Sequence, residues 1–115
     1  MVAESLAVVV ESLVRDLDPE AAVEWTVEPG TVTAALLLDG TMAVAAGVPD
    51  HLPVVTAATQ IVEILQDAVI EHEGGRAIPP CPVPGHPHPA ALRAEPDGPV
   101  WRCPTGARPS SPAPA

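Results

Sequence analysis

Between Val2 and Leu17 the apolar residues Leu6, Val9, Val10, Leu13 and Leu17 recur at spacings of three and four, while Glu4, Glu11, Ser12, Arg15 and Asp16 fill other positions. Apolar residues at that period line one side of an α-helix, so an amphipathic helix is expected here. Asp18-Pro19 stops it, because the residue before a proline is driven out of the helical region. The period then falls to two. Ala21, Val23, Trp25 and Val27 alternate with Ala22, Glu24, Thr26 and Glu28, which gives a strand with one apolar and one wet face. On such a strand Trp25 reads as a core residue first and a recognition anchor second. Glu28-Pro29-Gly30-Thr31 carries Pro and Gly at the two central positions of a type II turn, and Asp39-Gly40 is a pair favoured in tight hairpins. Two turns make three antiparallel strands. The middle one, residues 32–38, is apolar at nearly every position, and residues 41–48 continue the pattern with small side chains.

Helical periodicity returns over residues 53–72. Thr56, Gln60, Glu63, Asp67 and Glu71 fall on one stripe and leave Val54, Ala58, Ile61, Leu65, Ala68 and Val69 to face inward. Pro53 is well placed in a first helical turn, where its missing N–H is no loss. The expected fold is therefore α+β: a two-layer sandwich of helix, three-stranded antiparallel meander and helix, with both helices on one sheet face. Ala35 and Leu37 then point to the other face and leave an apolar patch that a second protomer or the C-terminal tail could cover.

Composition changes the picture beyond Gly74-Gly75. Twelve of the sixteen prolines lie after that pair, so helix and central strand are largely excluded there. Charge breaks at the same place: thirteen Asp or Glu stand against Arg15 alone before it, and Arg76, Arg93, Arg102 and Arg108 against Glu95 and Asp97 after it. Three regions follow: an acidic α-β-β-β-α domain over residues 1–74, a Pro-rich Cys/His segment over residues 75–108, and a disordered tail over residues 109–115. A formal charge of −10, with no Phe or Tyr and two Trp, argues against nucleic acid as a partner, since phosphate binding needs clustered cations and base stacking needs aromatic faces. The run Leu6 to Val10 is too short for a membrane span and lacks the basic flank of a signal peptide. The chain is thus expected to be cytoplasmic and without a membrane partner.

The tail holds the one set of residues with distinctive chemistry. Cys81-Pro-Val-Pro-Gly-His86-Pro-His88-Pro is followed by a lone Cys103, which makes four soft or borderline ligands, the number a closed tetrahedral zinc site takes. His86 and His88 are two apart and can lie on one side of an extended segment. Gly85 permits the bend that brings Cys81 to them. Asp97-Gly98 is a hairpin signal and Val100-Trp101-Arg102-Cys103 a short strand, so Cys103 can return to the same point. Cys81, His86, His88 and Cys103 are therefore the candidate structural Zn2+ ligands, in a zinc-knuckle-like arrangement. A disordered Pro-rich tail and a Cys81–Cys103 disulfide are the alternatives; reduced thiols in the cytoplasm favour the metal over the disulfide. His51 reads as a loop residue and His72 as a helix C-terminal residue placed well against the helix dipole.

Catalytic patterns do not emerge. The chain has no His-Glu-x-x-His, Gly-x-Ser-x-Gly or phosphate-cradling loop, and no His-x-Glu with Pro-Cys-x-x-Cys. The tail, with CPVPGHPHP and then DGPVWRCP, resembles a group of small uncharacterised proteins of high-GC actinobacteria, and the absence of Lys agrees with such a genome. The resemblance implies Cys81, Cys103 and at least one of His86 and His88 as metal positions. Three functional expectations result. The first is a small non-catalytic zinc-binding interaction or adaptor protein. The second is a structural subunit of a homodimer or larger, virion-type assembly that uses the Pro-rich tail as an arm. The third is a metal-dependent hydrolase, with Glu95 or Asp97 handling the proton.

Overall fold

The computed structural model describes residues 2–107, with side chains from Glu4 onward, and the expected tail at residues 109–115 lies outside them. The elements run α1 (Val2–Leu17), β1 (Ala22–Glu28), β2 (Thr31–Leu38), β3 (Thr41–Pro49), α2 (Val54–His72), β4 (Ala91–Glu95) and β5 (Gly98–Arg102). The first five form the α+β sandwich that the periodicity implies. β1, β2 and β3 pair antiparallel in that order, and β4 with β5 makes a separate two-stranded sheet.

Each turn has a local cause. α1 gives way at Asp18, whose carboxylate accepts from the Glu20 N–H at 2.9 Å while its carbonyl accepts from Ala21. Asp39 and Gly40 both take positive φ, 53° and 78°, as the two central residues of a tight type I′ hairpin must. In the β4–β5 hairpin Glu95 pairs with Gly98, so the loop itself is Pro96-Asp97. Gly98 opens β5 and Cys103 lies one residue beyond its end, a shift from the strand ending on Cys103 expected from the sequence.

Packing follows the strand alternation. On β2, Val32, Ala34, Leu36 and Leu38 are buried against the helices. The register sets Ala46 opposite Ala34 and Val48 opposite Val32, and both are buried too. α1 contributes Leu6, Val10, Leu13, Val14 and Leu17, and α2 contributes Ala57, Ala58, Ile61, Val62, Leu65 and Val69. Val14 and Val62 thus join the inward set, and Val9 is only half-buried. β1 is covered less well: Val23 and Trp25 face the helices half-buried, and Val27 is 60% exposed. Trp25 is a core-facing residue, with its indole N–H enclosed and without an acceptor among the described residues.

The opposite sheet face is open among the described residues. Thr33, Ala35 and Leu37 are half-buried there, and Met42, set beside Leu37 by the register, is 63% exposed. Residues 76–107 of the tail do not cover that face. They fold back on the helical side, where β4 and β5 contact α2, and Ile78 and Leu92 enter the same core cluster as Leu36 and Ile61. Trp101 is packed against that cluster and donates its Nε1–H to Asp16 on α1 at 3.1 Å. The hydrophobic core therefore continues across the composition break at Gly74-Gly75.

Candidate metal centre

The tail builds its site from two turns. In the first, residues 79–90 form a closed loop: Ala90 N–H donates to the Pro79 carbonyl at 2.8 Å, and Pro80 bridges Pro89. Pro82, Pro84 and Pro87 restrict φ within the loop. Gly85, at φ 85°, provides the reversal that a side chain with a Cβ takes only with strain, and His86 N–H closes the turn onto the Val83 carbonyl at 3.3 Å. In the second, β5 delivers Cys103 and the chain turns at Pro104-Thr105, with Gly106 N–H donating back to the Cys103 carbonyl at 3.0 Å. The two turns share a device: the backbone N–H two residues on, of Val83 and of Thr105, favours the thiolate form of the cysteine.

Together the turns bring all four expected residues to one point. The ligand atoms of Cys81, His86, His88 and Cys103 lie within 4.8 Å of one another, a set that could hold a metal ion. His86 Nδ1 is 3.6 Å from Cys81 Sγ and 3.5 Å from Cys103 Sγ, and His88 Nε2 is 3.5 Å from Cys103 Sγ. The spacing is informative. Metal–sulfur bonds of about 2.3 Å and metal–nitrogen bonds of about 2.0–2.1 Å at a tetrahedral angle put sulfur and nitrogen roughly 3.5 Å apart. The three observed separations therefore match edges of a tetrahedron around one ion. The rings of His86 and His88 stand 5.0 Å apart at 64°, so they present nitrogens to the centre without stacking.

Electrostatics divides the two cysteines, both of which are free thiols. The Thr105 hydroxyl, 3.0 Å from Cys103 Sγ, together with the two imidazoles, holds the Cys103 thiol down at about 5. Cys81 is pushed the other way, first by burial and then by its neighbour Cys103. At neutral pH the pair thus carries one thiolate, on Cys103, and one thiol, on Cys81. A ligand set of this kind suits a borderline divalent ion, because sulfur and imidazole donors disfavour hard cations.

Other candidates lie elsewhere. Glu95 is engaged by Arg102 through two bonds of 2.7 and 2.8 Å, an ion pair that lowers its pKa, and neither Glu95 nor Asp97 belongs to the Cys/His cluster. His51 is an exposed loop residue. His72 ends α2 and meets Asp39 of the β2–β3 turn at 3.2 Å. Three supporting residues had no sequence signal pointing to them: Thr105 beside the sulfur, Asp16 beneath Trp101, and Gln66, buried on α2 and bonded to the neck of the metal loop. Among the described residues no helix is long and apolar enough to cross a membrane. Comparison with known protein families, with curated proteins and with solved structures gives no match.

Proposed function

We propose that Cys81, His86, His88 and Cys103 bind one zinc ion in a closed, structural site, and that the protein is a small non-catalytic interaction or adaptor protein whose tail the zinc holds in place. The observation that carries this reading is the convergence of four protein ligand atoms within 4.8 Å, with three of their separations at the edge length of a tetrahedral site; four bound ligands would leave no position at which water could be activated. The resemblance of the tail to small proteins of high-GC actinobacteria supports Cys81, Cys103 and at least one of His86 and His88. Zinc suits two thiolates and two imidazoles better than magnesium or calcium does. Its binding to a site absent from the unfolded chain adds directly to folding free energy, which matters for a core this small.

Metal analysis of the purified full chain tests the first part, with about one zinc per chain expected. Cobalt substitution tests closure: a four-ligand site gives a tetrahedral spectrum that azide leaves unchanged, and His88→Ala makes it anion-sensitive. A spectrum that already responds to azide in the unmodified protein points to three ligands and a bound water, and moves a metal-dependent hydrolase to first place. A second reading is favoured by the open sheet face with Met42 at its edge. It makes the protein a subunit of a homo-oligomer, and sedimentation of the zinc-loaded chain decides between monomer and assembly.

A further inference from the structure

Gln66 is the one polar side chain buried among the described residues, at 7% exposure. It lies on the inward side of α2, where an amide without partners costs stability. Its Nε2 donates to two carbonyls, Ile78 at 3.0 Å and Ala90 at 2.7 Å. Both belong to the neck of the metal loop, on its two sides. At that neck Ala90 N–H donates to the Pro79 carbonyl. Residues paired in this way in an antiparallel ladder normally exchange a second bond, from the N–H of residue 79 to the carbonyl of residue 90. Pro79 has no N–H. The Ala90 carbonyl takes its bond from Gln66 instead.

We propose that Gln66 is a positioning residue for the metal loop, a side-chain substitute for the strand donor that Pro79 lacks, by which α2 holds the neck closed; this rests on the metal reading above. Cys81 lies two residues past Pro79, and His88 two residues before Ala90, so the width of the neck sets how far apart these ligands stand. Inside the loop the His86 N–H to Val83 carbonyl bond and the Pro80–Pro89 bridge are the other backbone pairings among the described residues. Prolines at 80, 82, 84, 87 and 89 provide no donors with which the loop could hold its own shape. The same side chain therefore joins the helical core to the ligand geometry, and occupancy of the site and order of the neck are coupled.

The test uses Gln66→Met in the full chain, which keeps length and approximate volume and removes both donors. Titration with cobalt(II), and zinc(II) in competition, is expected to show affinity weakened about tenfold or more, the usual scale for groups that orient ligands without touching the metal, with shifted cobalt absorption bands. Val10→Ala is the control: it opens a cavity on α1 in the same core without removing a bond to the neck, and is expected to lower Tm while leaving cobalt affinity and band positions unchanged. Cobalt binding by Gln66→Met within twofold of the unmodified chain overturns the proposal, as does equal weakening by Val10→Ala. Should Gln66→Met fail to fold, side-chain amide exchange of Gln66 in the unmodified protein decides the matter. Exchange is expected to accelerate at least about tenfold on zinc removal, as for a buried bond that opens with its site, and a rate indifferent to zinc overturns the coupling. No metal uptake by the unmodified chain overturns the metal reading itself, whereas uptake that is indifferent to position 66 overturns the clamp alone.

Discussion

The sandwich of α1, β1–β3 and α2 and the tail beyond Gly75 are held by different physics. In the sandwich, apolar side chains recur at the period of each element, and Leu36, Ile61 and Leu65 are fully buried where the layers meet. Hydrophobic burial there is spread over many residues, so no single one is indispensable. Among the described residues of the tail, regular backbone bonding is confined to the β4–β5 hairpin and the neck of the loop, and the buried apolar residues are Ile78, Ala90, Leu92 and Cys103. Its order rests on a few point attachments: Ile78 and Leu92 in the core, Gln66, Trp101 on Asp16, and the four Cys/His side chains that could hold a metal. Distributed burial tolerates loss at one site, whereas point attachment does not, and the same size of substitution should have different consequences in the two regions.

The largest difference is expected at the ligands. Cys81→Ser or Cys103→Ser should reduce zinc to below about a tenth of an equivalent, since apparent zinc binding energies of structural sites run to about 10 kcal/mol or more and depend on every ligand. Limited proteolysis should then cut within residues 76–107 while the sandwich resists. Retention of metal by either variant breaks the ligand assignment. Next comes removal of the tail. A chain ending at Gly75 should keep its helical and strand circular dichroism but lose roughly 3–6 kcal/mol of stability, the value of burying two side chains such as Ile78 and Leu92 at about 1.5–3 kcal/mol each. An unfolded truncated chain at low temperature would erase the distinction between the two regions, because the tail would then be part of the only viable core.

Leu36→Ala probes the other side of the comparison. At the centre of β2 it should cost about 2–5 kcal/mol, seen as a lowered Tm, yet leave metal stoichiometry at one per folded chain. Loss of metal at temperatures where this variant is folded would show that the site depends on the sheet. A smaller effect follows from protonation. Cys103 has already lost its proton at neutral pH, and Cys81, its thiol raised by burial, has not. Metal binding must then release one proton, from Cys81, so apparent affinity rises by about tenfold per pH unit around neutrality and falls more steeply where acid protonates the Cys103 thiolate as well. Calorimetric titration in two buffers of different ionisation enthalpy counts that proton, and a count of zero or two contradicts the assignment of thiol and thiolate. The smallest expected change is Trp101→Phe, which removes the bond to Asp16 and should cost about 1 kcal/mol or less, with metal affinity intact.

Much of the sandwich was legible because its signals are local. The three- and four-residue spacing in α1, the alternation in β2 and the Asp39-Gly40 pair each report on a few consecutive residues, and each appears in the structure where the spacing puts it. Departures occur where neighbours decide. Val27 has the alternation of a core residue but sits near the end of an edge strand beyond the reach of the helices, so it is exposed. The outer sheet face was foreseen as an apolar patch; that residues 76–107 leave it open depends on their docking against α2.

Spacing and residue type were enough to expect Cys81, His86, His88 and Cys103 to meet, since four such side chains within a stretch rich in prolines constrain where the chain can turn. They could not choose the atoms. That His86 presents Nδ1 and His88 Nε2 depends on ring orientations set by the folded turns. Nor could they find Gln66, because a glutamine on a helix is ordinary until something arrives against it. What arrives is a carbonyl 24 residues further along, left without its strand partner by a proline. Periodicity, turn chemistry and ligand spacing are properties of neighbours in the chain and can be read in order; burial, side-chain pairing and the coupling of α2 to the metal loop are properties of neighbours in space, and exist only once the tail has folded back onto the helix.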